Sequence, residues 1–336
     1  MSKQAVLLVN LGTPDSTSVS DVRRYLREFL MDKRVIDIPT IPRWLLVNLI
    51  IATFRAPKSA AEYRKLFDDR GSPLKYYTED LTELVQAALG EDYSVFFAMR
   101  YQQPSLGEQL EKIQSKGFTK LHVIPLFPQY ASATTGSVVE RVMEIVKDWQ
   151  VIPEIKFTNQ FFDHQDFIGT IVNLGKQYLA KTQYDHVVFS FHGLPERQIL
   201  KADVRCQLSS CCDKLTDQNS MCYRAQCFAT ARLVAIELGI KERDFTVCFQ
   251  SRLGRAEWIK PYAEDTLKQL AETGKKKVLV FSPAFVSDCL ETTIEVGEAY
   301  KEEFIALGGE QWDLVPSLNT EVQWVNCLVN IVKQRV

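Results

Sequence analysis

The chain has 336 residues, of which 46% are hydrophobic and 24% charged, and its formal net charge is −2. A chain of this length exceeds what one hydrophobic core normally organises, so we expect two domains or two similar halves. The balance of acidic and basic residues, with no basic cluster, excludes a nucleic-acid-binding protein.

The apolar segments are short. The longest, from Trp44 to Phe54, is interrupted by Asn48 and Thr53, and a membrane-spanning helix needs ~20 apolar residues. The N-terminus shows no signal-peptide pattern, so we expect an intracellular, cytoplasmic protein. In that compartment the eight cysteines are expected to be reduced, buried or metal-bound rather than disulfide-paired.

Short β-rich runs alternate with helical periodicity along the chain. Continuous apolar runs such as AVLLV and KKVLVFS predict strands that are buried on both faces, as in a parallel sheet. The predicted strands are residues 5–9, 93–99, 120–126, 152–156, 186–191, 245–249, 277–282 and 312–315. The helical segments between or after them include residues 19–30, 79–89, 132–148, 223–238, 291–307 and 321–333. This alternation predicts a doubly wound α/β protein.

The pattern divides near residues 151–157 into two halves of about four strands each. We predict a first half of residues 1–153 and a second half of residues 154–336, the second with a cysteine-rich segment at residues 206–227. The last predicted helix has no strand after it, which would allow it to fold back over the first half.

Six predicted strands are followed by loops rich in polar or aromatic residues. Since ligands of such sheets bind at the carboxyl ends of the strands, these loops are where a site is expected. The loops read NLGTP, MRYQQP, FPQYASATTGS, SFHGLPER, FQSRLGRAEW and FSPAFVSDCLETTIE. The TTGS turn lacks the lysine and glycine spacing of a P-loop, so a nucleotide site is the weaker interpretation.

His192 is the histidine best placed for chemistry. It follows a predicted strand directly and precedes a Gly-Leu-Pro turn, where an imidazole can serve as a base or a ligand of Fe²⁺. The other three histidines lie in or beside strands or before a helix and are interpreted as structural; they are His122, His164 and His186.

A row of carboxylates begins the helix predicted after residue 290. Asp288 and Glu291 are three residues apart, which places both near one face, and Glu295 continues the row. Such a row would form either a proton or metal path or simply a solvated face. The alternative interpretation of Asp288, or of Ser287 before it, is an N-cap of the helix.

Five of the eight cysteines fall within residues 206–227, with the spacing C-x₄-C-C-x₉-C-x₄-C. Four thiolates can hold Zn²⁺ or an iron–sulfur cluster. The spacing is not that of a zinc ribbon, and it leaves both metals and free thiols open. The clustered cysteines are Cys206, Cys211, Cys212, Cys222 and Cys227.

Over nearly its whole length the sequence resembles the ferrochelatase family. The matching motifs occur in the family's order and spacing, and they are VNLGTPDS, FLMDKRVIDIP, EYRKLFDDRGSP, RYQQP, FPQYASATTGS, FSFHGLP, FQSRLGRAEWIKP and FSPAFVSDCLET. The resemblance implies two Rossmann-like halves with a porphyrin cleft between them, and insertion of Fe²⁺ into protoporphyrin IX to form haem.

The resemblance also implies roles for individual residues. His192 and Glu291 would be the catalytic residues and would contact Fe²⁺, while Arg55 would bind a propionate. Arg100 and Tyr101 would lie on the opposite face of the porphyrin, on the iron-entry side. The residues expected to line the macrocycle are Leu11, Tyr130, Trp258 and Phe285. The apolar stretch at residues 29–46 looks like the lip that contacts lipid in membrane-associated relatives.

For the cysteine segment the resemblance favours a [2Fe–2S] cluster held by four of the five thiols. We expect only one of the adjacent Cys211 and Cys212 to be a ligand. One departure from some relatives is Cys289, which stands where they carry a second histidine. The Cys289 thiol must then take over the role of that histidine in a proton or metal path, or the path does not need that role.

Three other functions remain open from the sequence. The nearest is a ferrochelatase for coproporphyrin III, but Leu11 and the apolar lip favour a less polar porphyrin. A cobalt chelatase is more distant because the lip and the FQSRLGRAEW loop argue against it. A porphyrin-binding iron–sulfur sensor without catalysis is disfavoured by the intact His192 and Glu291.

Overall fold

The structure is a computed structural model, and it describes residues 4–203, 206–254 and 256–334. Within these residues the chain forms two parallel four-stranded sheets, in the orders β2-β1-β3-β4 and β6-β5-β7-β8. The strands are β1 (Gln4–Gly12), β2 (Tyr93–Tyr101), β3 (Lys120–Pro125), β4 (Glu154–Phe157), β5 (His186–His192), β6 (Phe245–Gln250), β7 (Lys277–Phe281) and β8 (Gln311–Leu314). The predicted fold class is therefore confirmed.

Helices connect most consecutive strands. The α-helices are α1 (Val19–Met31), α2 (Thr40–Leu45), α3 (Ala52–Phe54), α4 (Ala56–Leu66), α5 (Pro73–Leu89), α6 (Leu106–Ser115), α7 (Ser137–Val146), α8 (Gln165–Leu179), α9 (Glu196–Ala202), α10 (Tyr223–Glu237), α11 (Ala263–Glu272), α12 (Tyr300–Ala306) and α13 (Val322–Lys333). Three π-helical segments, Leu46–Ile51, Ser132–Gly136 and Leu290–Ala299, each run directly into an α-helix.

The position of the central strand in each sheet explains the continuous apolar runs in the sequence. β1 pairs with β2 and β3, so that Leu7 lies between Phe96 and Val123. β5 pairs in the same way with β6 and β7. Because helices cover such sheets, residues on both faces of a central strand are buried and the strand becomes a continuous apolar run.

Each sheet has its own hydrophobic core. In the first, the apolar core includes Leu7, Val9, Leu110, Val123 and Val142. In the second, it includes Val188, Cys248, Leu267, Val280 and Trp312. All of these side chains are essentially buried, so each sheet with its helices is stabilised chiefly by removal of apolar surface from water.

Contacts between Cα atoms divide the chain into two compact units. One consists of Met1–Phe127, Ala131–Gln160 and Val325–Val336, and the other of Pro128–Tyr130 and Phe161–Trp324. The predicted boundary after residue 153 remains a prediction, because contact density alone does not show which segments fold independently.

Candidate functional site

His192 is the last residue of β5, and the residue after it must be small. The backbone N–H of Gly193 donates a 2.9 Å hydrogen bond to the carbonyl oxygen of Gln250. A Cβ at Gly193 would lie 2.9 Å from that same oxygen and 3.0 Å from the Trp258 ring. The glycine of the HGLP motif therefore allows the chain to turn closely against β6 at the point where the histidine emerges.

The imidazole of His192 is oriented by the backbone. Its Nδ1 lies 2.6 Å from the carbonyl oxygen of Gly193. A carbonyl oxygen only accepts hydrogen bonds, so Nδ1 carries a proton and Nε2 is the nitrogen of the neutral ring that can accept a proton or bind a metal ion. The Trp258 ring lies 6.3 Å away, and the Tyr223 hydroxyl donates to the carbonyl oxygen of His192 over 2.8 Å.

Glu295 is a partly buried carboxylate within electrostatic reach of His192. It accepts hydrogen bonds from the Ser251 hydroxyl at 2.5 Å and from the Gln250 amide and the Tyr300 hydroxyl at 3.2 Å each. Burial raises the pKa of Glu295, and the Ser251 hydrogen bond opposes this shift. The residue is therefore a carboxyl group that takes up a proton more readily than an exposed one.

Ser251 and Gln250 were not identified as site residues from the sequence. Ser251 adopts the left-handed conformation, with φ of 65°, which is uncommon for a residue other than glycine and is often found at functional sites. The sequence signal that could have identified them is that Gln250 and Ser251 are a polar pair directly after an apolar strand, in the run FQS. The interaction with Glu295 itself spans 44 residues of sequence.

Glu291 and Glu295 both lie on the π-helical segment Leu290–Ala299. Its N-cap is Cys289, which forms a reciprocal capping arrangement with Thr292. Burial raises the pKa of the Cys289 thiol well above its ordinary value, and the neighbouring Glu291 adds to the shift. The thiol therefore stays protonated beside Glu291, and cannot accept protons as a second histidine would.

Asp288 does not belong to the carboxylate row, and the expectation that it shares a face with Glu291 or caps the helix was wrong. It precedes the helix and accepts hydrogen bonds from the backbone of Ser317 at 2.9 Å and the side-chain amide of Asn319 at 2.8 Å. Its own backbone N–H donates to Asn319. Asp288 therefore fixes the loop before the π-helix.

The residues predicted to line the macrocycle are half-buried, and each follows or lies near the carboxyl end of a strand. Trp258 donates from Nε1 to the carbonyl oxygen of Leu253 over 3.1 Å. Phe285 borders a cavity of about 20 Å³. The backbone of Tyr130 donates to Gln226 over 2.7 Å. Leu11 lies in β1, in the other unit.

Arg100 and Tyr101 belong to a closed polar network. Arg100 and Asp32 form an ion pair at 2.8 Å, with side chains 15% and 5% exposed. The Asp32 carboxylate also accepts from the hydroxyls of Tyr101 at 2.9 Å and Ser137 at 2.5 Å. Tyr101 is itself buried, so direct contact with a porphyrin would require the network to open. The predicted porphyrin contact of this pair remains a prediction.

The predicted apolar lip, residues 29–46, includes α2, and the helical apolar stretch continues beyond it to residue 54. Residues 40–54 form α2, a π-helical segment and α3 in succession. Six large apolar side chains on this stretch are exposed, and they are Ile41, Trp44, Leu45, Leu49, Ile50 and Phe54. Arg55, the predicted propionate ligand, follows α3 and is exposed. Throughout the described ranges, no helix combines the length and apolarity needed to cross a membrane.

The cysteine segment brings thiols together in pairs. The Sγ atoms of Cys206 and Cys211 are 3.9 Å apart. The neighbouring thiols of Cys212 and Cys222 share a hydrogen bond, which raises the pKa of Cys212 and lowers that of Cys222. In the part of the chain that the structure describes, which includes all five clustered cysteines, no three His, Cys, Asp or Glu side chains converge on a single metal position.

Two solved structures share the fold of this chain, with two parallel sheets flanked by helices. SirB from Bacillus subtilis, solved with Fe³⁺, superposes with a TM-score of 0.54 at 13% identity, covering 98% of this chain and 94% of that one. CbiX, described as the terminal enzyme of sirohaem biosynthesis in denitrifying bacteria, gives 0.51 at 12% identity, covering 99% and 100%. At these identities the likeness concerns the fold alone.

The chain belongs to the ferrochelatase family, whose sequence profile matches residues 3–336. A ferrochelatase from Legionella pneumophila strain Corby is 42% identical over 334 residues, which is 99% of this chain and 100% of that protein. One from Coxiella burnetii strain Dugway is 44% identical, covering 99% and 94%. The predicted family and its chelatase activity are thereby confirmed.

Proposed function

We propose that this protein inserts Fe²⁺ into protoporphyrin IX, forming protohaem and releasing the two pyrrole N–H protons. The observation that carries the proposal is the 2.6 Å contact between His192 Nδ1 and the Gly193 carbonyl. Fixing the Nδ1 proton makes Nε2 the basic nitrogen, and a positioned base is what removal of a pyrrole proton requires.

In this proposal His192 accepts the protons, and Glu295 and Glu291 conduct them away. Glu295 suits the role because it is near His192 and burial raises its pKa, which brings its proton affinity closer to that of an imidazole. Glu291 lies one turn earlier on the same segment. Apolar walls supplied by Leu11, Tyr130, Trp258 and Phe285 would bind the macrocycle, and Arg55 would bind a propionate.

The choice between two porphyrins rests on the polarity of these walls. Coproporphyrin III carries four propionates and needs more polar or basic partners than protoporphyrin IX, which carries two. The apolar Leu11 and the exposed apolar side chains of residues 40–54 favour protoporphyrin. The test is anaerobic metallation of both porphyrins in one reaction, with the products separated chromatographically. Predominant protohaem supports the proposal, and predominant coprohaem overturns the assigned substrate.

We further propose that residues 206–227 carry a [2Fe–2S] cluster. The donor set suits the group, because thiolates are the ligands of iron–sulfur clusters and five thiols lie in this segment, two of them 3.9 Å apart. When bound, such a cluster joins thiolates from distant positions and can exchange one electron. The proposed chelation step does not pass through it.

The exposed helical stretch at residues 40–54, which includes the end of the predicted lip, would place this enzyme, expected to be cytoplasmic, on a phospholipid surface. Phe54 is 75% exposed and Trp44 is 49% exposed, and aromatic side chains on an exposed apolar helix favour the membrane interface. Flotation with phospholipid vesicles tests this. The double substitution Trp44→Ser and Phe54→Ser should abolish flotation, while Met143→Ser, at another exposed apolar residue, should not. A wild-type protein that stays wholly in the soluble fraction would overturn the proposal.

A further inference from the structure

Helix α10 carries a row of polar side chains along one buried face. Tyr223, Gln226 and Thr230 are spaced three and four residues apart, which places them on the same side of the helix. Gln226 and Thr230 are 0% exposed, and Tyr223 is 7% exposed. Buried polar side chains require hydrogen-bond partners, so the partners of these three identify what this face of α10 holds in place.

Tyr223 holds the peptide group that follows His192. Its hydroxyl donates to the carbonyl oxygen of His192 over 2.8 Å. The N–H of the same peptide group, on Gly193, donates to the carbonyl oxygen of Gln250 over 2.9 Å, so the peptide group is held from both sides. The next carbonyl oxygen, that of Gly193, lies 2.6 Å from His192 Nδ1. The position of this peptide group therefore determines the orientation of the imidazole.

Gln226 holds the backbone of Tyr130. Its Oε1 accepts a hydrogen bond from the Tyr130 N–H over 2.7 Å, and its Nε2 donates to the carbonyl oxygen of Ser220 over 2.5 Å. A backbone N–H only donates and a carbonyl oxygen only accepts, so these two partners fix which end of the amide faces Tyr130. The amide is thereby oriented to support the macrocycle wall proposed at Tyr130.

Thr230 holds the residue before Tyr130. Its hydroxyl accepts a hydrogen bond from the Gln129 side chain over 3.1 Å and donates to the carbonyl oxygen of Phe162 over 3.0 Å. Gln129 is itself buried. Contacts between Cα atoms place Pro128–Tyr130 in the same compact unit as α10, in agreement with these hydrogen bonds. Residues 129 and 130 are therefore both held by α10.

We infer that Tyr223 and Gln226 are positioning residues for metallation, through which α10 fixes the base His192 and the macrocycle wall at Tyr130 relative to each other. Each acts through a backbone group of the residue that it supports, and neither is assigned contact with the porphyrin or with Fe²⁺. The inference rests on the roles proposed above for His192 and Tyr130, and it is independent of the metal content of the cysteine-rich segment.

The two positioning residues support different parts of the reaction, so their loss should separate kcat from porphyrin affinity. Tyr223→Phe removes one of the two hydrogen bonds that hold the peptide group after His192. It should lower kcat about 10-fold and leave the protoporphyrin Kd within about twofold, because a misplaced base slows the chemical step without changing the binding walls. Anaerobic metallation by Fe²⁺ measures kcat, and fluorescence measures Kd.

Gln226→Met keeps the length of the side chain but removes both hydrogen bonds of the amide. It should raise the protoporphyrin Kd about 10-fold and leave kcat within about threefold, because the loss of one or two hydrogen bonds corresponds to a factor of this size. If this variant does not fold, Thr230→Val removes the neighbouring support of Gln129 and should raise the Kd in the same direction.

Matched controls remove the same groups away from the site. Tyr184→Phe removes a hydroxyl that donates to Asp313 over 2.6 Å, before β5 begins. Gln86→Met removes an amide oxygen that accepts from the backbone N–H of Val95 over 2.8 Å, near the start of β2. Both controls should lose stability in urea unfolding without a change in kcat or Kd, which separates positioning from a general loss of stability.

A readout that needs no turnover is the nitrogen NMR spectrum of protein labelled at histidine. The His192 signal, identified by its absence from His192→Ala, should show the proton on Nδ1 in the wild type and a mixture of tautomers in Tyr223→Phe. Positioning variants that match their controls, or that lose kcat and affinity equally, would overturn the inference. A wild-type protein that forms no haem would instead overturn the proposed function, while the imidazole spectrum and the porphyrin Kd would still test both positioning roles.

Discussion

The Ser251 hydroxyl lies 2.5 Å from a carboxylate oxygen of Glu295 and donates a hydrogen bond to it. Gln250, the residue before Ser251, pairs with His192 across β5 and β6 and also donates to Glu295. The turn at the end of β6 thus connects the imidazole at the end of β5 with the carboxylate on the π-helix. In the proposed mechanism, this connection makes Glu295 the expected acceptor of a proton leaving His192.

Replacing Glu295 by Gln is expected to lower kcat by about 10- to 100-fold and leave the KM for porphyrin little changed, because the group acts on protons. Burial raises the pKa of Glu295, so wild-type activity should fall as pH drops through that raised pKa and the acceptor becomes protonated. The variant should lack this limb of the pH profile. The exposed Glu298→Gln on the same segment is the control, and equal kcat values for the two variants at every pH would contradict the relay.

Replacing Asp32 by Asn should destabilise the protein by about 3 kcal/mol, because it leaves the largely buried Arg100 guanidinium without its counter-charge. The exposed ion pair of Asp15 with Arg24 provides the comparison, and Asp15→Asn should cost no more than about 1 kcal/mol. Urea unfolding of both variants measures the difference. Equal losses of stability would show that the Asp32 network contributes no more than a surface ion pair.

Two buried histidines should make stability fall in mild acid. Burial is the main cause that lowers the pKa of both His122 and His186 to about 4 from 6.5; Lys156 adds to it at His122, while at His186 Lys275 adds and Asp244 opposes. Because the folded pKa is depressed, the stabilisation is complete above about pH 6.5 and is lost as pH falls towards 4.

Each of these histidines should therefore lower the free energy of unfolding by about 2 kcal/mol as the pH falls from 7.5 to 5. His122 and His186 pair with the hydroxyls of Thr158 and Thr246 at 2.8 and 2.9 Å, and His→Gln retains a hydrogen-bonding side chain. Urea unfolding at the two pH values should show that either single variant removes about half of the dependence. An unchanged pH dependence in both variants would contradict the assignment.

The strands were predictable from local sequence, since a parallel strand that is buried on both faces is a short continuous apolar run. The ends of the strands were less predictable from local sequence. β5 and β6 extend one residue further than predicted, to His192 and Gln250, because these two polar residues pair with each other across the sheet. The site residues are thus the last members of the strands as well as the first members of the loops.

The polar networks could not be predicted, because their members are far apart in the sequence. Asp32 and Ser137 are separated by 105 residues and Ser251 and Glu295 by 44, and no periodicity links them. The π-helices at Ser132–Gly136 and Leu290–Ala299 were likewise predicted only as parts of ordinary helices. A local pattern gives the helix but not the number of residues in each turn.

The most direct test of the central claim compares wild-type protein with His192→Ala in anaerobic metallation of protoporphyrin IX by Fe²⁺, with porphyrin affinity measured separately by fluorescence. His122→Gln serves as the control for a buried histidine away from the chemistry. The account predicts that His192→Ala lowers kcat at least about 100-fold, while its porphyrin Kd stays within a few-fold of the wild-type value. A His192→Ala protein that forms protohaem at the wild-type rate would contradict it.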